Sequence, residues 1–238
     1  MNNIHIPPVV KNLLIINVIF FAATLILEAQ GFNLTGLLGV FYFDSPFFHI
    51  WQPITYMFMH GGYLHIFSNM FGLFMFGGVL ESRWGAKRFL NFYLITGLGA
   101  LAIQMGVQAF EVYQLTGSVV HGSSVDAVMK SLPRDQAMTL YGIYGTPMVG
   151  ASGAIFGVLV AFGMLYPNTE LMLLFFPVPI KAKYFIPLYI VFELYSGVAQ
   201  TPGDSVAHFA HLGGALIGFI LVKLWKDKDN NRFYRYYE

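Results

Sequence analysis

GASGAIFGVLVAFGMLY, residues 150–166, carries no charge, and Ser152 is its one serine. Gly153, Gly157 and Ala161 recur at every fourth position, a stripe of small residues down one helix face. In a bilayer such a stripe lets a second helix approach closely. Residues 207–219, AHFAHLGGALIGF, carry a matching one: Ala207, His211, Gly214 and Gly218. If the two stripes meet, Ser152 and His211 come within hydrogen-bonding reach.

The rest of the chain agrees with a membrane reading. Of 238 residues, 56% are hydrophobic and 11% charged, and the mean hydropathy is +0.61. Soluble domains carry about 25% charged residues, so this chain lacks the polar groups to cover its own surface. A net charge of +1 gives no case for nucleic acid. The absence of cysteine excludes disulfides, thiolate metal sites and a Cys nucleophile.

A spanning helix needs about 20 mostly apolar residues. Six segments qualify, near 11–29, 62–80, 88–110, 150–166, 184–200 and 205–225. The first is read as a retained helix, not a removed signal peptide, because no small-residue cleavage site follows it. LMLLFFPVPI, residues 171–180, is short and holds Pro177 and Pro179, so it reads as an interfacial loop. With a cytoplasmic N-terminus, the inner segments hold eleven of the thirteen Lys and Arg residues: Lys11, Arg83, Lys87, Arg88, Lys181, Lys183, Lys223, Lys226, Lys228, Arg232 and Arg235. The outer loops hold Lys130 and Arg134. The positive-inside rule then places both termini in the cytoplasm. The expected fold is an all-α, six-transmembrane-helix bundle, with residues 1–238 as one membrane domain. Two outer loops are long: 31–53 is aromatic-rich and 111–148 more polar.

Polar side chains inside a membrane call for a reason. His65 and Asn69, in HGGYLHIFSN (60–69), are four residues apart, about 40° around a helix. The topology puts them level with Ser152 and His211 in the outer half of the membrane. A serine beside a histidine is the minimal set for nucleophilic acyl transfer. The Asn69 amide, a His65 ring N–H and the Ser152 backbone N–H are suitable donors to a developing oxyanion.

Four motifs then carry a family resemblance: H-x-x-x-N at His65 and Asn69; E-x-R-x-G at Glu81, Arg83 and Gly85; G-x-S-G at Gly150, Ser152 and Gly153; and H-x-x-G-x-x-x-G at His211, Gly214 and Gly218. In this order, over nearly the whole chain, the sequence resembles the rhomboid intramembrane serine proteases of bacterial, six-span type. The resemblance implies a Ser152–His211 dyad, with His65 and Asn69 in the oxyanion region. It implies transmembrane protein substrates, cut near the outer membrane surface, that enter between spans two and five. It implies no cofactor. Phe156 stands where many bacterial relatives have a tyrosine packed on the catalytic histidine.

Other readings stand beside these. Ser152 alone could be a packing residue, and His208 competes with His211 for the role of base. His60 reads as structural or surface, and Glu81 and Arg83 as anchors bonding loop backbone. Glu193, in VFELYSG, is open between a third triad member, a structural hydrogen bond and a gate residue. His5, His49 and His121 are scattered, so no metal site is expected. The alternative function is a non-proteolytic relative that binds or retains membrane clients. With no transit peptide apparent, a bacterial inner membrane is the expected location. Substrate and oligomeric state are not encoded legibly.

Overall fold

Each of the six apolar runs lies on a helix: α1, Pro8–Glu28; α2, Tyr63–Trp84; α3, Ala86–Thr116; α4, Ser152–Leu165; α5, Ala182–Ala199; and α6, His208–Tyr234. The computed structural model describes residues 6–173, 176–199 and 206–234, with the side chains of 173, 176, 177 and 226–234 left aside. His5, Arg235 and the expected span ends at 200 and 205 lie outside the described residues. α1, α2, α3 and the stretch of α6 from His208 to Trp225 are long and apolar enough to cross a bilayer. The chain is thus a multi-pass helical membrane protein.

α4 and α5 fall outside that set of four. α4 has 14 residues, a rise of about 21 Å, less than the ~30 Å hydrocarbon core. It lies inside the bundle, and every residue from Gly153 through Phe162 is buried. The described residues of 171–180, expected as a loop, belong to two paired antiparallel strands, β1 (Glu170–Leu173) and β2 (Phe176–Lys181). In an isolated pair the prolines need no ladder partner for the N–H they lack.

α3, α4 and α6 make the centre, and they approach through glycine. A Cβ on Gly214 would collide with the backbone carbonyl oxygen of Gly153, and one on Gly218 would sit 2.7 Å from Gly157 Cα. On the other side of α4, a Cβ on Gly157 would lie 2.7 Å from the Thr96 side chain and one on Gly153 would lie 2.6 Å from Ala100 Cβ. The two small-residue stripes therefore meet, backbone against backbone. α2 joins the centre at Gly72, where a Cβ would lie 3.1 Å from Ile155. One π-helical segment, Leu73–Gly77, interrupts α2 just beyond.

α1 buries Val10, Leu13, Asn17, Phe21 and Thr24, a helical stripe, and turns Val18, Ile19 and Ile26 outward. Pro8 suits its first turn, since that amide would have no intrahelical partner. The amides of Val9 and Val10 donate instead to the two carboxylate oxygens of Glu81, at 2.9 and 2.7 Å. Glu81, 3% exposed, thus ends α1 from α2. It bonds backbone, as expected, but the backbone of a helix terminus and not of a loop. Replacing Glu81 with alanine leaves two donors without their acceptor. The expected loss is about 1–3 kcal/mol, measured by unfolding in mixed micelles, with Glu81→Gln losing less because one acceptor oxygen remains.

Contacts between helix ends set their directions. Arg83 lies 5.7 Å from the Tyr166 ring centre, and Arg88 4.6 Å from that of Trp225. The start of α1, the ends of α2, α4 and the α6 span, and the starts of α3 and α5 therefore share one end of the bundle. Ser152 and the first turns of α2 and α6 share the other.

At that other end the two long loops hold each other. α3 runs on to Thr116, beyond the expected 110, and residues 111–148 add helices Val125–Ser131 and Arg134–Gly145. Asp44 accepts from the His121 and Gly122 amides, at 2.6 and 3.0 Å, and from the Tyr144 hydroxyl at 2.8 Å. Burial pushes the Asp44 carboxyl up, but these donors and the His121 ring outweigh it and hold the carboxyl below its ordinary value. Val40 and Met148 exchange both backbone hydrogen bonds, and the Gly150 amide donates to the Tyr56 carbonyl at 2.9 Å. The segment leading into Ser152 is thereby fixed to the 31–58 region.

Candidate active site

Ser152 is the first residue of α4 and is half-buried. The opening amides of a helix have no intrahelical acceptor, so its own N–H and those following are donors facing the same region. Gly150, two residues earlier, has φ +130°, in the region that favours glycine. A Cβ there would also lie 2.8 Å from His65 Nε2 and 3.5 Å from Ser152 Oγ. Glycine is needed at 150 for conformation and for space, and His65 lies directly over it.

His211, in the first turn of α6, is 9% exposed. Its Nε2 lies 2.7 Å from Ser152 Oγ. Its other ring nitrogen, Nδ1, lies 2.8 Å from Glu193 Oε2 on α5. The Phe156 ring stacks on the imidazole, with centroids 4.3 Å apart and planes 10° apart. His208 turns to the same carboxylate oxygen, its Nδ1 2.7 Å from Glu193 Oε2. Of the two histidines, His211 is the one hydrogen-bonded to the serine.

The tautomers follow from these partners. A carboxylate accepts, so His211 Nδ1 carries the proton and Nε2 presents a lone pair to the Ser152 hydroxyl. At His65 the order is reversed. His65 Nδ1 accepts from the Gly61 amide at 3.3 Å, so the neutral ring has its proton on Nε2, the atom over Gly150 beside Ser152. His65 is thus a donor where His211 is an acceptor. Asn69, 5% exposed, donates from Nδ2 to the His65 carbonyl at 3.0 Å.

Residues named by sequence divide into three groups. His65, Ser152, Gly150 and His211 come together, with Asn69 one turn along α2. Gly153, Gly157, Gly214 and Gly218 form the seam that brings Ser152 to His211. Glu81 and Arg83 sit at the opposite end. A groove of about 710 Å³ lies there too, lined by Arg83, Tyr166, Ser82 and Phe74, and includes none of the site residues.

His60, read from sequence as structural or surface, is 2% exposed, and its ring packs edge-on against His65 with centroids 5.0 Å apart. Burial, with His65 beside it, pushes its imidazole down to about 4, so the ring is uncharged near neutral pH. No helical period places it, since it precedes the helix that carries His65. Glu193, His208 and His211 each offer one ligand atom within 4.8 Å of the others, a set chemically able to hold a metal ion. His208 Nδ1, both ring nitrogens of His211 and Glu193 Oε2 are already engaged in the hydrogen bonds above.

Comparison with known proteins adds a family. A rhomboid domain model matches residues 48–226. An uncharacterized mitochondrial rhomboid protein of Schizosaccharomyces pombe is 34% identical over 92 residues, covering 36% of this chain and 23% of that protein. Rhomboid protein 1 of Saccharomyces cerevisiae, also mitochondrial, is 39% identical over 74 residues, covering 31% of this chain and 21% of its own length. The matched part is less than a quarter of either relative. Both are mitochondrial, which lends no support to the bacterial inner membrane expected above. With about three quarters of its length matched by the domain model, the chain belongs to the rhomboid family.

Proposed function

We propose that this protein is an intramembrane serine endopeptidase acting through a Ser152–His211 dyad on transmembrane protein substrates. The observation that carries this reading is the 2.7 Å hydrogen bond from Ser152 Oγ to His211 Nε2, at a helix N-terminus with the His65 Nε2–H alongside.

As Oγ attacks the scissile carbonyl carbon, the hydroxyl proton passes to His211 Nε2 and the carbonyl oxygen takes the negative charge. His65, the opening amides of α4 and Asn69 are the donors for that oxyanion. Collapse breaks the C–N bond, and His211 returns its proton to the leaving amine. Water then attacks the acyl-enzyme, giving its proton to His211, which restores it to Oγ. No step draws on a cofactor or metal.

The topology proposed with this function has six spans in one membrane domain and both termini in the cytoplasm. Supporting it, Lys11, Arg83, Lys87, Arg88, Lys181, Lys183 and Lys223 lie on or beside the helix ends opposite Ser152. The scissile bond is then met near the outer surface. Substrate enters between α2 and α5, whose Leu64, Phe67, Phe192 and Tyr195 face outward.

A fluorophosphonate probe applied to the protein in liposomes tests the reading. The expected product is one covalent adduct, mapped by peptide mass spectrometry to Ser152 and absent from Ser152→Ala. A protein that takes no label would instead fit the client-binding alternative, and label at another serine would remove Ser152 from the role of nucleophile.

A further inference from the structure

We propose that Glu193 is a positioning residue for His211, so that the dyad works as a triad of Ser152, His211 and Glu193 contributed by three helices, with His208 steadying the carboxylate. The inference rests on the proposed Ser152–His211 chemistry and extends it to α5.

The geometry separates this from a helix-tying role. A carboxylate 3% exposed inside a membrane bundle is costly unless its lone pairs are met. Apolar contacts could join α5 to α6 without that cost. The carboxylate instead meets Nδ1 of His211, the ring nitrogen that Ser152 leaves unused. By accepting Nδ1–H it holds the tautomer whose Nε2 can take the serine proton. It also fixes the ring plane, which Phe156 supports from one face. When the proton moves from Oγ to Nε2, the imidazolium forms against a negative charge already in place. The Nδ1 proton stays on the ring throughout.

His208 is a second donor to the same oxygen. Two N–H groups one turn apart on α6 hold Oε2 in place, and neither is the base for the other. Gly197, one turn along α5, permits the approach: a Cβ there would lie 3.1 Å from His208 Cβ.

The test compares wild type, Glu193→Gln and Glu193→Leu in liposomes with a single-span reporter. The expected result is a kcat lowered about 10²–10⁴-fold, as loss of the tautomer-holding carboxylate does in serine proteases, with KM unchanged within about twofold. In ¹⁵N-histidine NMR, the low-field proton on His211 Nδ1 is present in wild type and lost in Glu193→Leu, while the His65 signals stay. His208→Leu lowers kcat by about tenfold and adds nothing in the Glu193→Leu background, because both act through one oxygen.

Wild-type kcat in Glu193→Leu overturns the proposal. So does a loss accompanied by a lowered unfolding midpoint with the Nδ1 proton signal retained, since that is what a purely structural tie would give. Fluorophosphonate labelling of wild type keeps the two readings apart. An unlabelled wild type removes the protease assignment itself, whereas a labelled wild type with an unaffected Glu193→Leu removes the positioning role of Glu193 alone.

Discussion

Ser152→Ala, reconstituted in liposomes with a single-span reporter, is expected to lose cleavage by at least about 10³-fold while its unfolding midpoint stays unchanged. Removing the nucleophile of a Ser–His pair leaves only what binding and oxyanion donors supply, and the parts act as a unit. His211→Ala should therefore lose about as much, and the double variant no more than either single one. Folding is not at issue in Ser152→Ala. The side chain is half-buried at a helix start, and alanine is the better helix former. Residual cleavage above one part in a hundred would remove Ser152 from the role of nucleophile. A His208→Ala variant that matched His211→Ala in loss would return the base to contention.

Gly214→Ala is expected to be the most damaging single-methyl change in the bundle. The new Cβ meets the carbonyl oxygen of Gly153, which is backbone, and no rotamer change relieves it. Overpacking of a close-packed core costs about 1–3 kcal/mol, occasionally more, and here the relief is separation of α4 from α6. Ser152 and His211 are borne by those two helices, one residue and three residues from the point of contact. A displacement near 1 Å at a reacting pair costs about 10²-fold in rate. The variant should show both a lower unfolding midpoint and a rate loss of that order among molecules still folded. Gly106→Ala on α3 is the control. Nothing lies within 4 Å of its would-be Cβ, and loss of helical glycine should be neutral or stabilising by about 1 kcal/mol. If the two variants behave alike, the backbone seam does not set the site.

The helices were readable in the sequence because apolar length is a local property. Each of the six runs coincides with a helix, and the stripe in 150–166 identified the face that meets α6. Spacing within one helix also placed His65 and Asn69 on a common face. What the sequence withheld depends on contacts between helices. Glu193 is 15 and 18 residues from its two histidine partners, across a chain reversal, and no helical period relates them. His60 reads as structural or surface because burial before a helix leaves no periodic mark to separate the two. The paired strands β1 and β2 were hidden by their prolines, which argue against helix more clearly than they argue for an edge strand. The α3 boundary moved to Thr116 because the helix continues past the apolar run into polar residues.

The carboxylate that completes the first turn of α1 has a consequence for how the protein is made. Val9 and Val10 leave the ribosome 72 and 71 residues ahead of the Glu81 that will accept from them. At roughly 5–20 residues per second, that is an interval of roughly 4–14 s. Throughout it, the start of α1 must be served by water or lipid headgroups at the membrane face. α1 therefore enters the bilayer as an unfinished helix, and its final anchoring waits for the last turn of α2 to be translated.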